Sequence, residues 1–74
     1  MSIEVDITFP PHREDRVAEF HVLHDQTVDI PAEIFRRSGQ LTIAIYSKSD
    51  GISWEYPVAD FLSAIAAGIA IIEE

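Results

Sequence analysis

Seventy-four residues with no cysteine make one domain that can hold neither a disulfide nor a thiolate metal site. Its core must come from apolar side chains, which are 47% of the chain. The formal charge of −8, thirteen acids against five bases, repels nucleic acid and anionic membranes.

The chain then reads as strands followed by a helix. Ile3, Val5, Ile7 and Phe9 alternate with Glu4, Asp6 and Thr8, the period-two pattern of a half-buried strand with an acidic outer face. Pro10-Pro11 stops it. A second strand is predicted over about Arg16 to His24, with Ala18, Phe20 and Val22 on one face and Val17, Glu19, His21 and Leu23 on the other. Asp25-Gln26 makes a tight turn into a short third strand, Thr27 to Ile30, with Val28 and Ile30 inward. Pro31 suits the first turn of a helix, so Ala32 to Arg37 is read as a short helical turn ended by a left-handed Gly39. Leu41 to Ser47 is the fourth strand, Ser49-Asp50-Gly51 a hairpin turn, and Ile52 to Tyr56 the fifth strand paired with the fourth. From Pro57, Val58, Phe61, Leu62, Ile65, Ile69 and Ile72 recur at helical spacing. The preferred reading is one helix to about Ile72; in the alternative it stops at Gly68 and residues 69–73 extend.

These elements predict an α+β domain over residues 1–74. An antiparallel sheet of four to five strands carries a short helical turn near 31–37 and a C-terminal helix on one face. The expected inward set is Val5, Ile7, Phe9, Phe20, Val22, Val28, Ile30, Leu41, Ile43, Ile45, Trp54, Phe61, Leu62 and Ile65.

Catalytic chemistries fall away one by one. His21 and His24, three apart on a strand, point to opposite faces, so they do not chelate together, and His12 and Asp25 lie in loops. No serine sits in a glycine-flanked elbow, and no glycine-rich phosphate loop occurs. Glu4 and Asp6 read as a solvated rim rather than an acid–base pair. Arg36, Arg37 and Lys48 are too few for a phosphate footprint, and Trp54 and Tyr46 read as hairpin packing rather than base-stacking platforms. No enzyme, cofactor or metal is expected, and no nucleic-acid or membrane partner. The longest weakly charged stretch, Phe61 to Ile72, is too short to span a bilayer, and no targeting pattern opens the chain, so it reads as cytoplasmic.

Two features point to a protein partner. Ala59, Ser63, Ala67, Ala70 and Ile71 form a small, apolar outer strip on the C-terminal helix, read as an interface between copies in a homo-oligomer. Glu4, Asp6, Glu19 and Asp29 make an acidic strand face, read as a surface for a basic partner.

The stretch Asp25 to Tyr46, a turn followed by Val28-Asp29-Ile30-Pro31, then Gly39-Gln40-Leu41 and a strand, resembles small β-rich domains of bacteriophage baseplate and tail proteins. That resemblance covers about a third of the chain and implies a phage or prophage origin. It implies a structural or accessory role through protein interaction, or else a small acidic inhibitor that captures a basic host protein such as a nucleic-acid-handling defence complex.

Overall fold

The computed structural model describes residues 3–12, 15–24, 27–48 and 53–74. These residues form β1 (Glu4–Thr8), β2 (Val17–His24), β3 (Thr27–Asp29), β4 (Ala32–Arg37), β5 (Gln40–Ile45) and α1 (Val58–Ile72). Every strand pairing is antiparallel; the sheet runs β1-β2-β4-β5, with β3 also paired to β2. The α+β arrangement of an antiparallel sheet with a C-terminal helix on one face is present.

The expected helical turn at 31–37 is instead β4, which fills the gap between β2 and β5. Six residues cannot hold a helix by themselves, whereas as a strand they gain ladder partners on both sides. Their alternation also fits: Ala32 and Ile34 join the core under α1, while Glu33 and Phe35 are buried on the opposite face. Gly39 does adopt the left-handed conformation, but it closes a hairpin. Ser38 (φ 52°) and Gly39 (φ 77°) form a two-residue turn between β4 and β5.

A register shift between β3 and β4 decides which side chains point where. Val22 faces Asp29, and Ala18 faces Ile34. Only Ile30 and Pro31 link the two strands, too few to cross β2, so both lie along the same edge of it. Between the two pairs β2 advances four residues and the opposing chain five, so one extra residue bulges at Ile30-Pro31 and reverses the alternation. Val28 therefore shares the face of Leu23, away from α1, and Val28 and Ile30 are exposed rather than inward. Pro31 belongs at such a bulge because it has no N–H to give; its carbonyl accepts the Tyr46 N–H at 2.8 Å.

The expected fifth strand at 52–56 does not form over its described part. Residues 53–57 have no regular structure, and Ser49 to Ile52, with the Asp-Gly turn, lie outside the described residues. The segment has to leave β5 to start a helix that lies over β1, β2 and β4. Trp54 and Tyr56, two residues apart, stack with centroids 5.8 Å apart, and Tyr56 stacks on Phe61 at 6.0 Å. The aromatic rings thus bind the connection to the helix rather than to the sheet.

The helix is unbroken through Gly68, as preferred. Its sheet-facing line is Ala64, Gly68 and Ile72, flanked by Phe61, Ile65, Ile69 and Ile71. Phe20 lies at the centre beneath, fully buried, with the Phe61 ring edge-on at 5.7 Å. Several residues expected inside lie outside: Ile7, Phe9, Leu41, Ile43, Ile45 and Leu62 are exposed. Small residues seat the helix low over β1, β2 and β4, and that position leaves β5 beyond its reach. Phe9 is further out still, past the last paired residue of β1.

Candidate functional site

The helix-side surface of the molecule is apolar and half covered. Antiparallel partners share a face, so Leu41, Ile43 and Ile45 of β5, opposite Arg36, Ile34 and Ala32, point to the side that carries α1. The α1 backbone makes no close approach to β5. The helix runs alongside β5 in the reverse direction, and two clefts open between them. One, of about 300 Å³, is lined by Ile45, Val58, Leu62 and the Trp54, Tyr56 and Phe61 rings, with Pro31 at its base. The other, of about 170 Å³, has Leu41 and Ile43 facing Ile65 and Ile69. Together they make a channel as long as β5, roughly 20 Å at strand rise. No charged residue lines either cleft.

The outward side of α1 continues this surface. Val58, Ala59, Leu62, Ser63, Ala66, Ala67 and Ala70 are all exposed, Val58 at 73% and Leu62 at 59%. Of the five strip residues expected on this side, Ala59, Ser63, Ala67 and Ala70 are there; Ile71 turns inward and packs against the core. Val58 and Leu62 belong to the apolar helical period that predicts a sheet-facing line, yet they are the two largest apolar side chains of the exposed face. The helix end is held by Arg16, whose Nη1 donates to the Ile71 carbonyl at 3.5 Å and lies 3.8 Å from the Glu74 carboxylate. Glu73 and Glu74 carry negative charge at the negative end of the helix dipole, and the guanidinium there offsets it.

The far face of the sheet carries the polar chemistry. Glu4, Asp6 and Glu19 share it, as expected, but Asp29 does not: the bulge turns it to the helix side, opposite Val22. There the Asp29 charge acts on Tyr56, whose hydroxyl pKa is raised, first by burial and then by that carboxylate. Asp6 and Glu19 are direct cross-strand partners, and the His21 ring sits between them, Nδ1 2.8 Å from Asp6 Oδ2 and Nε2 3.0 Å from Glu19 Oε1. A carboxylate only accepts, so both contacts are hydrogen bonds only when a proton sits in each. Half of the expected acidic face is thereby tied up internally. Glu33, buried on this face, accepts a hydrogen bond from the Tyr46 hydroxyl. Arg37 lies over the Phe35 ring at 5.0 Å, and Lys48 over the Trp54 ring at 5.3 Å. The side chain of His24, and Asp25, lie outside the described residues.

Among the described residues no helix is long and apolar enough to cross a membrane. No protein-family model, no curated protein and no solved structure matches the chain.

Proposed function

We propose that this chain is a non-enzymatic protein-interaction module, a cytoplasmic structural or accessory protein of phage or prophage origin, that associates with further copies of itself through the outer side of α1. One observation carries the reading. The helix is apolar all round, with Asp60 its single charge in fifteen residues, and such a helix is ordinarily covered on both sides. The sheet covers only one of them. The small residues Ala64 and Gly68 seat α1 closely on its own sheet, and the small outer residues Ala59, Ser63, Ala66, Ala67 and Ala70 offer the same close approach to a second copy. The partner's apolar helix side fits because neither surface brings a charge to the contact.

The test is sedimentation at two concentrations with Ala67→Glu and, separately, Leu62→Lys. Both side chains are exposed, so folding tolerates the change. The reading expects an unmodified chain heavier than one copy and variants shifted at least tenfold toward the single copy. An unmodified chain that stays single at high concentration contradicts it.

A second reading, an acidic inhibitor of a basic protein, is favoured by Glu4 and Asp6, exposed two apart on an edge strand. Binding of that kind weakens steeply as salt rises, the opposite of what apolar self-association does.

A further inference from the structure

The two edges of the sheet are built differently. β1, at one end, carries Glu4 and Asp6 and is followed by Pro10-Pro11. Charge and proline are the usual devices that keep an edge from pairing with another chain. β5, at the other end, is Gln40-Leu41-Thr42-Ile43-Ala44-Ile45, without charge or proline, and its pairing with β4 runs without a bulge. Among the described residues no strand pairs with its outer side, and α1 stops short of it.

The pattern of the hairpin tells which backbone groups are free. Arg37 and Gln40 flank a two-residue turn and form a hydrogen-bonded pair, so Gln40, Thr42 and Ala44 direct N–H and C=O toward β4. The Tyr46 N–H bonded to the Pro31 carbonyl continues the same alternation. Leu41, Ile43 and Ile45 therefore direct theirs outward. These are the same three residues whose side chains are partly exposed on the helix side.

We infer that the β5 edge is a second self-pairing surface, which takes the β5 strand of another copy in antiparallel register with Ile43 opposite Ile43 and Leu41 opposite Ile45. In this register all the outward groups of both strands are satisfied, about six hydrogen bonds in total. Apolar residues meet apolar ones on the helix side, and Thr42 meets Ala44 on the other. The occupant is a copy rather than a basic or acidic strand because β5 offers no charge to select either. Pairing through β1 would instead set Glu4 and Asp6 against themselves. The bonds lie in the plane of the sheet, so a copy held on the outer face of α1 leaves the edge open. Two distinct self-contacts make the assembly open-ended rather than a closed pair.

Amide hydrogen exchange read residue by residue, at dilute and at high protein concentration, tests this in the unmodified chain and in Ala67→Glu. Thr42 and Ala44 are protected at both concentrations. Leu41, Ile43 and Ile45 exchange freely when dilute and at least tenfold more slowly when concentrated, in both proteins. An unmodified chain that associates while those three amides keep one rate overturns the edge pairing and leaves the α1 reading standing. Slowing of those three in an Ala67→Glu variant whose association is undiminished sustains the edge and removes the α1 contact. Slowing lost in Ala67→Glu overturns the independence of the edge. Ile43→Pro, which removes one outward N–H and no bond to β4, abolishes the slowing; Ile43→Val keeps it.

Discussion

At Gly68 the helix stands so close to the sheet that an added Cβ would lie 2.9 Å from Ile34 Cδ1, 3.4 Å from Phe20 Cε1 and 3.5 Å from the Ala18 Cβ. Replacing a mid-helix glycine by alanine ordinarily stabilises by about 1 kcal/mol. Here the buried Ile34 side chain has to give way, so Gly68→Ala is expected to lose that gain and come within ~0.5 kcal/mol of neutral. Gly68→Val, which overpacks, is expected to cost roughly 1–3 kcal/mol in urea unfolding. Ala67→Gly, on the outward side, is expected to cost the ordinary ~1 kcal/mol of helix propensity. A full gain at Gly68→Ala would mean that the helix and sheet are less tightly seated.

His21 is the residue on which the far face depends. Without it Asp6 and Glu19 oppose each other across β1 and β2 with no donor between them. His21→Leu is expected to lower stability by about 1 kcal/mol at neutral pH, and Glu19→Gln in the same background to restore part of it. A His21→Leu variant as stable as its parent would show that the bridging contacts contribute nothing. Tyr56 supplies the pH dependence. Its pKa is raised in the fold, so the folded chain holds this proton where the unfolded chain has released it. Below pH ~10 both states keep the proton and stability is fully present; as pH rises above it the unfolded chain releases the proton first, so stability falls through that range. Asp29→Asn is expected to bring the Tyr56 midpoint down in an NMR titration; an unchanged midpoint would place Asp29 out of range.

At the scale of elements, the strands with strict alternation and no special backbone were legible in the residues themselves. Ala18, Phe20 and Val22 take the inner face of β2 as their spacing requires, and the helix from Val58 to Ile72 follows its apolar period. What misled was Pro31. A proline before Ala-Glu opens a helix as readily as it marks a bulge, and only the ladder partners on both sides of β4 decide between them. The reversal at Ile30-Pro31 then carried Val28, Ile30 and Asp29 to the faces opposite those that a straight count gives. The helix erred by a rotation: its larger residues suggested the inner line, whereas Ala64 and Gly68 occupy it, because close seating favours small side chains. The uncovered channel was not legible, since whether a helix reaches an edge strand is a matter of placement. Phe20→Ala is expected to cost ~3–5 kcal/mol. Phe9→Ala, at a ring 73% exposed, is expected to change stability by less than ~0.5 kcal/mol. Thermal or urea unfolding of the two variants checks both figures, and similar losses at the two positions would contradict the placement of β1.

For the whole molecule the division of polarity between the two sides matters most. Glu4, Asp6, Glu19 and Glu33 sit on the sheet face away from α1, while no charged residue lines the channel and Asp60 is the single charge of α1. A copy that docks on the helix side keeps those carboxylates across at least one sheet and one helix layer. That separation exceeds the ~8 Å over which charges interact at physiological salt. The −8 charge of each chain therefore opposes association mainly at low salt. The most direct measurement is the sedimentation-equilibrium mass of the unmodified chain over a hundredfold range of concentration, at low and at physiological salt. The account predicts a mass that rises with concentration and rises further when salt is added; a single-copy mass throughout, or association that salt dissolves, would contradict it.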